Sequence, residues 1–225
     1  MYIKVNGIEL FYEKRGSGNP IVLLHGNGED HTIFDVLILQ LSQHHTVYAI
    51  DSRGHGKSSN VKSLDYRVMM EDIAAFITEL GIENAMLYGF SDGGIIGLLL
   101  AIEHPAMLSK LIISGANTQP SGIKIINAIF MQISYFFTRE QKIKLMLTQP
   151  NITNAELNAI STPTLVLAGS KDVVKDKHTK MIAANIKNSV LRILEGESHS
   201  SYVVRSDKLY GIIAPFLEAE GQGSC

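Results

Sequence analysis

Six short apolar runs, separated by segments whose apolar residues recur at helical spacing, constrain the fold of this chain more than any other feature. The runs lie at 20–26, 46–51, 85–88, 110–116, 163–169 and 190–196. The helix-like segments lie at 32–43, 65–80, 93–102, 175–186 and 201–218. Strands that are apolar on both faces and alternate with helices are typical of a parallel sheet covered on both sides. The sequence therefore predicts an α/β fold with a mostly parallel, doubly wound sheet.

The first residues predict a different kind of strand pairing. Residues 2–5 and 8–13 alternate between apolar and polar side chains on either side of Asn6-Gly7, and this dipeptide favours a tight hairpin turn. We therefore expect an N-terminal hairpin at an antiparallel edge of the sheet. The length of 225 residues suits one domain with a sizeable core, so we treat 1–225 as a single domain.

One connection is longer than a crossover helix requires. Residues 117–161 separate two of the apolar runs. Within them, 123–137 is apolar on almost every side, and two further helix-like segments follow at 139–148 and 154–160. A helix that is apolar all round must bury two faces, so we interpret 117–161 as a small helical cap inserted over a pocket. A larger crossover buried in the core is the alternative. The same apolar sides also suit a dimer interface through the cap, which leaves the oligomeric state open.

The net charge of the chain indicates which binding partners are disfavoured, and its N-terminal sequence indicates a cellular location. A net charge of −2 argues against a nucleic acid or an acidic membrane as partner, because both favour basic surfaces. The N-terminus lacks the basic start and long apolar run of a signal peptide, and no stretch of eighteen apolar residues is uninterrupted. We therefore expect a cytoplasmic protein. The single cysteine, Cys225, has no internal partner for a disulfide.

The sequence Gly-Phe-Ser-Asp-Gly-Gly at 89–94 is the most informative motif. It stands directly between an apolar run and a helix-like segment. A sharp strand-to-helix turn exposes a serine hydroxyl at the carboxyl end of a sheet, and small neighbours let that turn close. The N-terminus of the helix that follows stabilises negative charge at the same place. Ser91 is therefore our candidate nucleophile, with Gly89 and Gly93 required by the turn.

A serine hydroxyl needs a base before it can act as a nucleophile at neutral pH. His199 follows the last apolar run and is therefore expected at the same carboxyl edge of the sheet as Ser91. Asp172 follows the preceding run and is our candidate for the carboxylate that orients the histidine. Asp176 is the alternative, although its position at the start of a helix favours a capping role.

The loop His-Gly-Asn-Gly at 25–28 meets the remaining requirement, which is a pair of N–H donors for a developing oxyanion. We predict that these donors are the backbone N–H groups of Asn27 and of Asp92, the residue after the candidate nucleophile. His25 is expected to brace the loop by hydrogen bonds. Whether the Asn27 side chain also reaches the pocket stays open. We predict neither a metal ion nor a cofactor.

Together these motifs resemble the α/β-hydrolase superfamily, in its compact, capped, cofactor-free esterase-like branch. The matching stretches are HGNG at 25–28, DSRGHGKS at 51–58, GFSDGG at 89–94, GSKD at 169–172 and SH at 198–199. They occur in the order of the family and are specific for the fold and the Ser-His-Asp triad, but not for the substrate. Serine as the nucleophile separates the chain from the dehalogenase and epoxide-hydrolase relatives, which use a carboxylate. The chain is also shorter than many members, and we expect the cap to be the part that is reduced.

The resemblance implies hydrolysis of a small-molecule ester through an acyl-enzyme. Because the predicted cap is apolar, we expect acyl or alcohol groups of low polarity and modest size. The candidate substrate-contacting residues are Phe90, Ile126 and Phe130, together with His25. The Asp92 side chain is not required by the turn and would pair with a substrate amine if it faced the pocket. Thioester hydrolysis, carbon–carbon bond hydrolysis, peracid formation and a non-catalytic ligand-binding role are the alternatives.

Overall fold

The computed structural model describes residues 1–219, so Cys225 lies outside the described residues. The strands are β1 (Tyr2–Val5), β2 (Ile8–Arg15), β3 (Asn19–Leu24), β4 (His45–Ile50), β5 (Ala85–Phe90), β6 (Leu108–Ser114), β7 (Thr164–Lys171) and β8 (Ser189–Ser198). The helices are α1 (Asp35–Leu41), α2 (Tyr66–Glu79), α3 (Asp92–Glu103), α4 (Ile125–Thr138), α5 (Gln141–Thr148), α6 (Asn154–Ala159), α7 (Asp176–Asn185) and α8 (Lys208–Glu218).

The strands form one eight-stranded sheet in the order β1-β2-β4-β3-β5-β6-β7-β8. The pairs β1–β2 and β2–β4 are antiparallel, and every other neighbouring pair is parallel. The N-terminal hairpin therefore lies at one edge, as the alternation around Asn6-Gly7 predicts. The mostly parallel α/β fold with an antiparallel edge is confirmed.

The continuous apolar character of the central strands has a direct cause in the two cores. Along β3, Ile21 and Leu23 contribute to the core on the side of α1 and α8. The alternate residues, Val22 and Leu24, contribute to the core on the side of α2, α3 and α7. Since successive side chains of a strand point to opposite faces, a strand covered on both faces must be apolar throughout.

Two predicted helices are shorter in the structure than the sequence indicates. The segment predicted at 32–43 divides into a 3₁₀ turn, His31–Phe34, and α1. The helix predicted from 201 begins only at Lys208. The reason lies at Arg205, which has a positive φ of 48° and whose N–H donates to the Ile33 carbonyl oxygen at 2.7 Å. A left-handed residue interrupts a right-handed helix.

Residues 117–161 contain α4, α5 and α6, and these helices differ in how they pack. Leu145 of α5 and Leu157 of α6 are buried and join the core that also covers α3. In contrast, α4 has no buried residue, although its sequence predicts burial on two faces. Among the described residues, no helix has the length and apolar character needed to span a membrane.

Candidate active site

The candidate nucleophile lies in a strained turn between β5 and α3. Ser91 has φ 52° and ψ −112°, a conformation that is rare for a residue with a side chain. Its N–H donates to the Ser114 carbonyl oxygen at 2.8 Å, which fixes the turn to β6. A Cβ atom on Gly89 would collide with the backbone of Gly93, and one on Gly93 would collide with the Leu24 carbonyl group. The glycines of the motif are therefore required by close backbone approach.

The structure brings the three predicted triad residues together at the carboxyl edge of the sheet. Nε2 of His199 lies 3.2 Å from Oγ of Ser91, and Nδ1 of His199 lies 2.7 Å from Oδ1 of Asp172. Asp172 is buried, with an exposed fraction of 2%. The alternative acid, Asp176, has a 57% exposed side chain that pairs with Lys180 at 2.8 Å. Geometry therefore places Asp172, rather than Asp176, beside the histidine.

Phe90 and Gly115 both border the imidazole ring of His199. The ring of Phe90, one residue before Ser91, packs against the imidazole with 4.9 Å between centroids. Gly115 has a φ of 62°, and a Cβ atom there would lie 2.6 Å from Cε1 of His199. Gly115 was not identified from the sequence, although its position directly after β6 at the same sheet edge was a usable signal.

The two predicted oxyanion donors border the same cavity as Ser91. Within residues 1–219, the backbone N–H groups of Asn27 and Asp92 donate to no protein acceptor. The N–H of Gly26, by contrast, donates to Oε2 of Glu29 at 3.0 Å. Because these two N–H groups have no protein acceptor, both can donate to an oxyanion that forms beside Ser91.

The Asp92 side chain, whose role the sequence left open, forms a buried link between two elements. Its Oδ1 accepts a hydrogen bond from the Tyr66 hydroxyl at 2.7 Å, and its Oδ2 accepts one from the Asn27 amide at 2.8 Å. Burial is the main cause that raises the pKa of Asp92, and both hydrogen bonds oppose that rise. Because each oxygen already has a protein donor, the carboxylate does not need a substrate amine as its partner.

The Asn27 amide extends this link to the 117–161 segment. The same amide nitrogen lies 3.2 Å from the Lys142 carbonyl oxygen in α5. The segment is tied to the site a second time, because the Tyr66 N–H donates to Oε1 of Gln149 at 3.1 Å. The Asn27 side chain therefore borders the cavity and connects the 25–28 loop to α5. Tyr66 and Gln149 were not identified from the sequence, because their contacts join residues far apart along the chain.

His25 lies beneath the loop and does not line the cavity. Its Nδ1 donates to the Gly26 carbonyl oxygen at 2.7 Å, and its Nε2 accepts from the Ser52 N–H at 3.0 Å. Burial is the main cause that lowers the pKa of His25. A neutral imidazole satisfies both bonds, with one nitrogen donating and the other accepting. His25 thus braces the loop by hydrogen bonds, as the sequence leads us to expect.

The neighbouring histidine gives a pH-dependent expectation. His55 is 3% exposed, and burial lowers its pKa to about 4. An unfolded histidine binds its proton near pH 6.5, so between pH 6.5 and about 4 the unfolded chain holds more protons and stability falls as the pH falls. We expect His55 to account for a loss of about 2 kcal/mol in the free energy of unfolding between pH 7 and pH 5.

Urea unfolding of the wild type and of His55→Gln at both pH values measures this contribution. Between pH 7 and pH 5, the free energy of unfolding of the variant should fall by about 2 kcal/mol less than that of the wild type. His44→Gln is the matched control, since His44 is exposed, and it should follow the wild type. An equal acid-induced loss in His55→Gln and the wild type would contradict the assignment.

The cavity beside Ser91 has a volume of about 400 Å³. Phe90 and Phe130, two of the predicted substrate-contacting residues, line it, whereas Ile126 lies on the exposed side of α4. The further apolar lining residues are Tyr66, Ile123, Met131, Met146, Val173 and Val174. The polar lining residues include Glu29, whose pKa is raised chiefly by burial. Glu29 was missed because a carboxylate just before a helix also suits a capping role.

One group of side chains has the spacing of metal ligands. Candidate ligand atoms of Asp30, His31 and Asp51 lie within 4.8 Å of one another. Oδ1 of Asp51 accepts from both the backbone N–H and Nδ1 of His31, at 2.8 and 2.6 Å, and Oδ2 accepts from the Lys57 N–H at 2.8 Å. These contacts already satisfy the carboxylate, so we assign the group to bracing of the loops rather than to a metal site.

Comparison with known proteins identifies the family. A model described as the alpha/beta hydrolase fold matches residues 19–142, which is more than half of the chain, and the chain belongs to this family. The AB hydrolase superfamily protein YisY of Bacillus subtilis (strain 168) is 28% identical over 265 aligned residues, covering 96% of this chain and 98% of that protein. Serine hydrolase BPHL of Homo sapiens is 26% identical, with coverages of 96% and 85%.

Solved structures agree on the fold. An esterase from Exiguobacterium antarcticum, EaEST, superposes with a TM-score of 0.86 at 23% identity, covering 97% of this chain and 99% of that chain. At this identity the likeness shows the fold alone. The family and its relatives support a hydrolase. The alignment with YisY is longer than the chain itself, so this chain lacks segments that YisY has.

Proposed function

We propose that the chain is a serine hydrolase that cleaves ester bonds of small, largely apolar substrates through an acyl-enzyme intermediate. The observation that carries the proposal is the continuous series of contacts from Ser91 through His199 to Asp172. This series opens into a cavity of about 400 Å³ whose walls are mainly apolar. A serine paired with a base, and a base paired with a buried carboxylate, is the arrangement that activates a hydroxyl for acyl transfer.

The proposed reaction has two halves. Nε2 of His199 takes the proton of Ser91 as Oγ bonds to the acyl carbon, and the N–H groups of Asn27 and Asp92 bind the oxyanion. When the carbonyl re-forms, the ester C–O bond breaks and the alcohol leaves with the proton from Nε2. Water then attacks the acyl-enzyme with His199 again as the base, and the acid and free Ser91 are released. Asp172 stabilises the imidazolium in both halves.

We further propose that residues 117–161 act as a small cap that selects the substrate. Four apolar residues of this segment, Ile123, Phe130, Met131 and Met146, face the cavity. Apolar walls favour acyl or alcohol groups that gain by leaving water. The modest cavity volume favours short and medium chains over long ones.

A series of p-nitrophenyl esters from acetate to palmitate tests this proposal. We expect a burst of nitrophenolate equivalent to the enzyme concentration, followed by slower turnover, because the acyl-enzyme accumulates. kcat/KM should pass through a maximum at a short or medium acyl chain and fall for palmitate.

Matched oxygen esters and thioesters of one acyl group separate the related chemistries. A clear preference for the thioester would replace esterase with thioesterase as the activity. Absence of turnover for every ester and thioester, together with saturable ligand binding, would instead support a non-catalytic binding protein.

A further inference from the structure

The described residues expose a patch of large apolar side chains along α4. We call it the outer face of α4 and define it by seven side chains, each between 44 and 77% exposed: Ile125, Ile126, Ile129, Phe130, Ile133, Phe136 and Phe137. At 3.6 residues per turn, these positions occupy one arc of about 140° around the helix. Soluble single chains rarely leave contiguous apolar surface of more than a few hundred Å² without a partner for it.

The orientation of α4 is the reverse of an ordinary amphipathic helix. Asn127 and Met131 lie opposite the outer face and line the cavity, and Ser134 lies on the same opposite side by helical spacing. A helix on a globular protein normally buries its most apolar side and exposes its polar side. Here Asn127 and Ser134 lie on the inward side, and Gln132 is an exposed amide beside the outer face. Burial within this chain therefore does not explain the seven apolar residues.

The charge around α4 indicates what covers this face. Lys124 and Arg139 stand at its two ends, and Lys142 and Lys144 follow on α5. Residues 120–149 thus contain four of the chain's 20 Lys and Arg residues but only one of its 22 Asp and Glu residues, Glu140. The rest of the chain therefore carries the excess of negative charge. The whole-chain charge of −2 argues against an acidic membrane as partner, but it does not describe residues 120–149, which are positively charged.

We propose that the outer face of α4 docks on an anionic lipid surface. An apolar helical face supplies burial in the acyl region, and adjacent cations add attraction to anionic headgroups; together these are the two contributions that peripheral attachment requires. Arg139 also stacks on Tyr135 and Phe136, with 5.4 and 5.6 Å from its guanidinium carbon to the ring centroids. Aromatic rings beside a cation suit the boundary between headgroups and acyl chains.

A second copy of the chain is the competing occupant, and the charges disfavour it. In an antiparallel pairing of two α4 helices, Lys124 of one copy approaches Arg139 of the other. Like charges that meet at the edge of an interface weaken it. The anionic headgroups of a lipid surface instead complement both ends of the helix at once.

Docking in this orientation would place the cavity beside the lipid. Phe130 belongs to the outer face and also lines the cavity, so one residue connects the two. Esters of low polarity concentrate in lipid, and from there they would reach Ser91 without crossing bulk water. This last consequence rests on the proposed esterase function, whereas the docking itself does not.

Vesicle co-sedimentation tests the docking independently of catalysis. The protein used is full-length Ser91→Ala, which cannot alter the lipid by the proposed reaction. We expect at least about tenfold stronger partitioning onto vesicles that contain phosphatidylglycerol than onto pure phosphatidylcholine, and weaker binding as salt is raised. Equal binding to both vesicle types, or no binding to either, would overturn the proposal.

Two variants identify the surface responsible. On the Ser91→Ala background, Phe136→Ser/Phe137→Ser and Lys124→Glu/Arg139→Glu should each lower vesicle binding by about tenfold or more. Leu39→Ser is the matched control for the apolar change, because Leu39 is an exposed apolar residue on α1. Vesicle binding that survives both double variants would refute the assignment to α4.

Three further measurements keep the outcomes distinct. Circular dichroism should show that each double variant keeps the wild-type secondary structure, and on the wild-type background each should still hydrolyse a water-soluble short ester. Light scattering of the wild type should report a monomer, and a dimer that Phe136→Ser/Phe137→Ser dissociates would replace lipid with a second copy as the occupant. If the wild type binds anionic vesicles but hydrolyses no ester, the proposed function fails while the docking stands.

Discussion

Replacing Ser91 with alanine is expected to abolish covalent labelling by an organophosphonate and to lower kcat by at least about 10⁴-fold. The reason is that Oγ of Ser91, 3.2 Å from Nε2 of His199, is the proposed site of both acylation and phosphonylation. Alanine removes this oxygen and leaves the cavity and the N–H donors of Asn27 and Asp92 intact. KM should change little if those groups still bind the substrate. Intact-mass spectrometry after labelling and steady-state kinetics measure the two effects.

Ser200→Ala is the matched control for the labelling experiment. Ser200 is the other serine that lines the cavity, so it is the competing site for a reactive probe. We expect this variant to gain one phosphonyl group on the peptide that contains Ser91. Labelling that persists in Ser91→Ala, or that disappears in Ser200→Ala, would remove Ser91 as the nucleophile.

The fold could be predicted because its information is local and repeated. Consecutive residues in the run at 20–26 are apolar, so both faces of the strand are apolar. In the structure, Ile21 packs in one core and Val22 packs in the core on the other side of the sheet. The same holds for the other central strands, so the parallel sheet followed from pattern alone. The carboxyl ends of those strands then located Ser91, Asp172 and His199 at one edge.

The packing of α4 could not be predicted in the same way. Periodicity shows which sides of a helix are apolar, but it does not show which side another element covers. The sequence at 123–137 indicates two buried faces, whereas the structure leaves the face that contains Ile126 and Phe137 exposed. The prediction of Ile126 as a substrate contact depended on that missing information.

The role of the Asp92 side chain required contacts that no local pattern contains. Its partners, Asn27 and Tyr66, are 65 and 26 residues away along the chain. A buried carboxylate needs hydrogen-bond donors, but the sequence does not show whether a substrate or the protein provides them. The choice between Asp172 and Asp176 was open for a similar reason, because both follow β7 within a few residues.

Replacing Asp172 with asparagine is expected to lower kcat by about 10⁴-fold while the protein stays folded. Oδ1 of Asp172 accepts from Nδ1–H of His199, which leaves Nε2 free to accept the proton of Ser91. An asparagine amide that turns its NH₂ group toward Nδ1 favours the tautomer with the proton on Nε2, and that tautomer cannot act as the base. The imidazolium also loses the negative charge that stabilises it in both halves of the reaction.

Asp176→Asn is the matched control, because it makes the same chemical change four residues further along the chain. Asp176 is exposed and pairs with Lys180 in the first turn of α7, and an exposed pair of this kind contributes at most about 1 kcal/mol to stability. We therefore expect Asp176→Asn to keep kcat within about twofold of the wild type, since a change at the surface of α7 does not reach the imidazole. Steady-state kinetics of the two variants with one short ester, and circular dichroism of both, make the comparison. A loss of activity in Asp176→Asn with near-normal turnover in Asp172→Asn would reverse the assignment of the orienting carboxylate.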